Sequence, residues 1–202
     1  MIVRIYDKHP SQRDMERITD LLEHDGVAAC PTDGRYVLCC SLQRPRAIAR
    51  LQSLCGKKMD DTSVIFADIA SAAHYCRIDN ATFRLLKRNL PGPFTFIVPA
   101  STRMPDKVPT RQQNVGVRIP DCEALRALVT ALGSPLLAAT LNIDDGDDEE
   151  YAVDPSLISE RYGNRIDVVV DGGVGRNVPT TLVDLTDGEP VILREGGGIL
   201  QI

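Results

Sequence analysis

Apolar residues recur at helical spacing through 11–24, where Met15, Ile18, Leu21 and Leu22 form one stripe, Ser11 holds the N-cap position and Gly26 marks the stop. A short apolar run at 27–30 reads as a strand leading into Pro31-Thr32-Asp33, and 36–40 as a second buried strand. Pro45 opens a helix carrying Ile48, Leu51 and Leu54 that ends near Gly56. Further along, the pattern predicts strands over 63–67, 94–98, 114–118, 136–140 and 167–170, with helices over 80–90, 122–132 and 155–162. Pro91-Gly92 stops the first of these helices, Gly133 the second, and Asp154 caps the third. The run 179–196 reads as two strands joined at Asp187-Gly188, with Thr180, Thr181 and Arg194 at their outer ends. Strands alternating with helices predict a central sheet covered by helices, and the closing hairpin makes that sheet mixed.

Composition changes this picture little. A chain of 202 residues with 43 % hydrophobic and 25 % charged residues suits one soluble domain over 1–202. Trp is absent, so the core must rest on Leu, Ile, Val and Ala. No apolar run approaches the ~20 residues that span a bilayer, and the N-terminus lacks a signal-peptide pattern, so the cytoplasm is the expected location and no membrane partner is expected. Six cysteines occur without a CxxC pair, and Cys39 and Cys40, as strand neighbours, should face opposite ways. They read as reduced, buried thiols and not as a zinc site. His9, His24 and His74 match no ligand spacing, so no metal site is expected.

The net charge of −5 argues against binding nucleic acid through bulk electrostatics, but leaves room for a local basic cleft formed by Lys57, Arg118 and Arg194. The acidic block 144–150 reads as a solvated loop. The glycines at 172–175 and 196–198 lack the helix and lysine of a phosphate-binding loop and read as turns.

Four polar strings beside β-like runs carry the candidate chemistry: Pro31-Thr32-Asp33, Pro91-Gly92-Pro93-Phe94-Thr95, Gly116-Val117-Arg118-Ile119-Pro120, and the run from Pro179 to Gly196. In order and spacing they resemble the YrdC/YciO family, which includes the threonylcarbamoyl-adenylate synthases of tRNA modification. The resemblance covers about residues 26 to 196, and the run from Pro179 together with Asn80-Ala81-Thr82-Phe83-Arg84-Leu85 is most similar to the YciO branch. It implies an α/β fold of α+β type: a twisted, open mixed sheet flanked by helices, with a concave site on one face.

The synthase activity implied by this resemblance joins ATP, L-threonine and bicarbonate into threonylcarbamoyl-AMP and pyrophosphate. ATP would arrive with Mg²⁺ as a substrate complex, with no tightly bound cofactor, and RNA or tRNA would be a further partner. The resemblance assigns Arg118 to the threonine carboxylate, a planar anion that a guanidinium can grip at both oxygens. It likewise assigns Thr32 and Thr180 to substrate, and Thr140, Asn142 and Arg194 to the nucleotide. An acid such as Glu123 is an alternative partner for Arg118.

Two departures stand out. The family's Lys-x-Arg becomes Cys55-Gly56-Lys57, leaving Lys57 as the catalytic cation without a planar fork, so a weakened synthase is expected. Gly34-Arg35 stands where synthases carry a Thr after Pro-Thr-Asp, removing a hydroxyl and bringing in a cation that would offset the lost lysine. Two other readings fit the same residues. One is a non-catalytic module that binds nucleotide or double-stranded RNA. The other is an enzyme acting on a related carbamoyl or acyl adenylate.

Overall fold

The computed structural model describes residues 1–5, 11–56, 62–110, 112–141 and 148–202. Lys57, Asn142 and most of the acidic block lie outside the described residues. The described chain runs β1 (Ile2–Arg4), α1 (Gln12–Glu23), β2 (Val27–Cys30), β3 (Val37–Ser41), α2 (Pro45–Cys55), β4 (Thr62–Ile65), α3 (Ile69–Tyr75) and α4 (Asn80–Asn89). It continues through β5 (Phe94–Pro99), β6 (Asn114–Arg118), α5 (Glu123–Leu132), β7 (Leu136–Thr140), α6 (Pro155–Tyr162), β8 (Val168–Asp171), β9 (Thr181–Asp184) and β10 (Val191–Arg194). The ten strands form one sheet in the order β1-β8-β2-β3-β7-β4-β6-β5-β9-β10. It is mixed: β1/β8, β8/β2, β4/β6 and β5/β9 are parallel and the other neighbours antiparallel. No helix among the described residues is long and apolar enough to cross a membrane.

Most elements fall where hydrophobic periodicity predicts, and two do not. β1 has only three residues with alternating burial, too short to show a period. α3 also lacks a long stripe, yet it carries a capping box in which Asp68 accepts from the Ser71 backbone and the Ser71 side chain returns the contact. The strand expected over 63–67 runs instead over Thr62–Ile65.

Because side chains alternate across a strand, the sheet separates two apolar layers. On one face Leu38 and Cys40 of β3, Leu137 and Ala139 of β7, and Phe94, Phe96 and Val98 of β5 meet α2, α4 and α6. On the other, Val37 and Cys39, then Leu136 and Ala138, meet Met15, Ile18 and Leu22 of α1 and Leu125, Leu128 and Val129 of α5. Cys39 and Cys40 thus lie on opposite faces, and burial pushes the Cys40 thiol up. The first layer extends under β5, β6 and β9 through Phe96, Val117 and Val183; the α1/α5 layer does not reach them. The uncovered part of that second face is where the polar residues gather.

Between β8 and β9 the chain must cross seven interstrand steps with nine residues, the ten Cα–Cα steps from Asp171 to Thr181. On a flat sheet those steps come to roughly 34 Å, against about 33–36 Å for the fully extended connection, so the path has to be direct. Residues 172–179 form this strap. Tyr36 anchors its start, donating to the Gly173 carbonyl at 2.7 Å and accepting from the Gly172 amide at 3.1 Å.

Beyond β10 the chain folds back onto β9. The buried Thr181 hydroxyl donates to the Gly198 carbonyl at 2.6 Å and accepts from the Gly196 and Gly198 amides at 3.0 and 3.1 Å. The 196–198 glycines are therefore a packed turn. Thr181→Val keeps the shape and strands three backbone groups, so stability should fall by about 3 kcal/mol. Thermal unfolding should read that as a Tm loss of roughly 6–12 °C.

Candidate functional site

The uncovered face holds a cavity of about 640 Å³ lined by residues of β4, β5, β6, β7, β9 and β10, the loop after β2 and the end of the strap. Sheet register explains its lining. Arg118 pairs with Ile65 of β4, Gly116 with Ile97 of β5, Thr95 and Ile97 with Leu182 and Asp184 of β9, and Leu182 with Arg194 of β10. Alternation then presents Ser63, Thr95, Gly116, Arg118, Thr180 and Asp184 to one side. A Cβ at Gly116 would stand 3.0 Å from Thr95 Cγ2 and 3.3 Å from Ser63 Cβ, so glycine keeps this floor open.

Arg118 is the most deeply set cation among the described residues, only 5 % exposed. Its Nη2 meets Asp33 Oδ1 at 3.3 Å, while its Nε is buried without a hydrogen-bond partner among the described residues. Asp33 spends its other oxygen on the Asp121 amide at 2.9 Å. The alternative partner Glu123 is thus replaced by an acid from 85 positions earlier in the chain. Burial pushes the Arg118 guanidinium below its ordinary value, Asp33 opposes that, and the charge of Arg194 adds to the depression. A guanidinium stays protonated regardless. Arg118 and Arg194 therefore share one cavity and sense each other's charge.

Thr180 is buried, its hydroxyl 2.8 Å from that of Thr95. Arg194 donates from Nε and Nη2 to the Thr180 carbonyl, each at 3.3 Å, which steers its head over the cavity. Thr140, the last residue of β7, also lines the cavity. Thr32 is not among the lining residues. Its hydroxyl closes its own loop, donating to the Arg35 carbonyl at 2.7 Å and accepting from the Gly34 amide at 3.0 Å. Lys57 and Asn142 cannot be placed, being outside the described residues.

The two departures at 34 and 35 acquire a physical account. A Cβ at Gly34 would come 2.5 Å from the Val178 carbonyl, so the strap runs where a side chain would sit. Arg35 lines the cavity, and its Nε donates to Asn177 Oδ1 of the strap. Cys55, by contrast, closes α2 and packs on the layer across the sheet from the cavity, where burial pushes its thiol up. A raised thiol is a poor nucleophile.

The described lining offers three arginines, several hydroxyls and one carboxylate, but no activated nucleophile. Such a set binds and aligns anions in a half-enclosed, low-dielectric hollow, the kind of positioning that phosphoryl chemistry relies on. Sequence reasoning singled out Arg118, Thr140, Thr180 and Arg194; it quoted Asp33, Thr95 and Asp184 within its polar strings without giving them a role, and it passed over Ser63. The signal for Gly116 and Arg118 is the polar or small residue at every second place in 114–118, and for Thr95 its place between Phe94 and Phe96.

A family model of Sua5, YciO and YrdC proteins, described as "Telomere recombination", matches residues 20–196. An uncharacterized protein of Haemophilus influenzae is 33 % identical over 200 residues, covering 96 % of this chain and 94 % of its own. Threonylcarbamoyl-AMP synthase of Vibrio vulnificus is 27 % identical over 188 residues, covering 91 % and 98 %. The crystal structure of Escherichia coli YciO superposes with a TM-score of 0.91 at 30 % identity, covering 100 % of this chain and 98 % of that one. That of Pyrococcus abyssi Sua5 complexed with L-threonine gives 0.86 at 24 % identity and covers 98 % of this chain but 58 % of the other, a likeness of fold. The family match over residues 20–196 and the superposition on YciO along the whole chain lead to one conclusion: this chain belongs to the Sua5/YciO/YrdC family.

Proposed function

We propose that the cavity binds ATP, with its Mg²⁺, together with L-threonine and bicarbonate, and that the protein carries threonylcarbamoyl-AMP synthase chemistry at reduced rate. One observation carries this reading: a buried guanidinium, Arg118, with an unpartnered Nε, in the same hollow as Arg194. A buried donor left unpaired is costly unless a ligand completes it, and a carboxylate fits a guanidinium edge. In the reaction the threonine nitrogen bonds the bicarbonate carbon with loss of water. A carbamate oxygen then bonds the α-phosphorus, and the bond to the departing pyrophosphate breaks.

Arg118 would hold the amino-acid carboxylate, Thr180 its polar side, and Arg194 the phosphate charge, with Thr140, Asn142 and Lys57 assigned to the nucleotide by the family resemblance. Mg²⁺ would enter with the nucleotide. Asp33 already uses both oxygens, and Asp184 Oδ1 accepts from the Thr186 amide and hydroxyl at 2.8 and 2.7 Å. The relatives named as threonylcarbamoyl-AMP synthases support the same reading. A cytoplasmic site of action accords with this chemistry.

Pyrophosphate release should require ATP, L-threonine and bicarbonate together, and omission of any one should return it to background. A second reading, a module that binds nucleotide or double-stranded RNA without turnover, is favoured by the placement of Cys55 on the far side of the sheet from the cavity. ATP binding with no pyrophosphate release, and an RNA affinity that falls with salt, would select it. Consumption of supplied threonylcarbamoyl-AMP would instead select an enzyme of a related adenylate.

A further inference from the structure

We infer that Arg35, braced by Asn177 of the strap, is the cation by which this cavity prefers a nucleoside triphosphate to a monophosphate; the inference rests on the nucleotide-binding reading above. The charged lining among the described residues is Arg35, Arg118, Arg194 and Asp184. Arg118 is paired with Asp33 at 3.3 Å, Arg194 is held by the Thr180 carbonyl, and Asp184 is the one carboxylate of the described lining. Counted with Asp33, these described groups are three arginines against two carboxylates, a net charge of +1 that falls to zero without Arg35. A monophosphate carries about two negative charges near neutral pH, and each added phosphate raises that total. Removal of Arg35 takes away the net positive charge that favours the more highly charged ligand.

Geometry points the same way. Arg118 lies at the base of the cavity, nearly closed off from solvent, whereas Arg35 is half-buried where the 31–36 loop meets the strap. Its Nε is occupied by Asn177 Oδ1, and no partner for either Nη is recorded among the described residues. The bond from Nε fixes the plane of the guanidinium and leaves its outer edge for a ligand, the arrangement that suits a phosphate. Asn177 is followed by Val178 and Pro179, both of which line the cavity, so the brace belongs to the cavity wall. A neutral amide at 177 is what the role requires, because it orients the guanidinium without cancelling its charge. Arg176 tethers the same strap to the loop, donating from Nη2 to the Asp33 carbonyl at 3.3 Å. This leaves the loop–strap seam intact when residue 35 is changed.

Calorimetric titration of the full chain with ATP, AMP and L-threonine tests the inference. For Arg35→Ala, and for Arg35→Met, which keeps the stem, Kd for ATP should rise at least tenfold. Kd for AMP should change less than threefold and that for threonine less than twofold. Arg35→Lys should recover part of the loss. Asn177→Asp should reproduce it, because a carboxylate beside Arg35 cancels the charge while keeping the contact. Unchanged ATP affinity in Arg35→Ala and Arg35→Met, or an equal loss for ATP and AMP, would overturn the inference and leave nucleotide binding standing. A wild-type chain that binds neither nucleotide would overturn the nucleotide-binding reading itself, and this inference with it.

Discussion

Arg118→Ala will lose measurable threonine binding, at least a hundredfold in Kd, and will also be the least stable of the single cavity variants. Two effects combine. The ligand loses a charge-assisted, two-point contact, worth tenfold or more for each bond removed. The protein loses the partner of Asp33, whose side chain is 4 % exposed and 3.3 Å from the guanidinium. A carboxylate left uncompensated at such depth costs about 3–5 kcal/mol. The Asp121 amide still reaches its Oδ2 and relieves part of that.

The two effects can be separated. Arg118→Met combined with Asp33→Asn removes both charges, so stability should recover to within about 1–2 kcal/mol of wild type while threonine binding stays lost. Arg118→Lys should fold well and still bind poorly, since it keeps the charge and not the planar fork. Thermal unfolding and calorimetry on the same three samples provide the check. Full threonine affinity in Arg118→Lys would show that charge alone suffices.

The second large effect concerns the residue after Pro-Thr-Asp. Restoring the Thr that synthases carry, by Gly34→Thr, should impair this chain. A Cβ there meets the Val178 carbonyl at 2.5 Å, a backbone atom of a connection with little slack. The strap must shift, at a cost of about 2–3 kcal/mol by the measure of other overpacked sites. A Tm loss of roughly 5–10 °C follows for a domain of this size. The shift also moves Asn177 and the cavity-lining Val178 and Pro179, so ATP affinity should fall with stability. Gly34→Ala should show most of the stability loss, because the clash is with Cβ itself. A Gly34→Thr chain as stable as wild type would mean that the strap can move out without penalty.

The loss at Gly34 also shows where sequence reasoning stops. A missing hydroxyl at 34 is visible in the chain; that a strap from 144 positions later occupies its place is not. The same holds for Asp33. Its neighbours Thr32 and Gly34 mark a loop, but the partnership with Arg118 depends on β2 and β6 lying in one sheet with three strands between them. Local signals did better. Apolar periodicity located the long helices and the central strands, and the family resemblance singled out Arg118, whereas the shared face of Thr95 and Arg118 emerged from the sheet. Thr32 marks the opposite case: a hydroxyl in a family motif whose bonds here go to its own loop. β1 and α3 were missed because three and seven residues are too few to display a period.

The order in which the strands are joined has a consequence during synthesis. A nascent chain that has reached Asp171 contains eight of the ten strands, yet the outer edge of β5 (Phe94–Pro99) is bare until β9 arrives. An open, apolar edge is a template for pairing with another polypeptide. The cavity is equally incomplete then, since Thr180 and Arg194 have yet to be made. A ribosome-released fragment ending at 171 should therefore associate through that edge and ignore threonine, and both defects should vanish together once residues 172–202 are supplied.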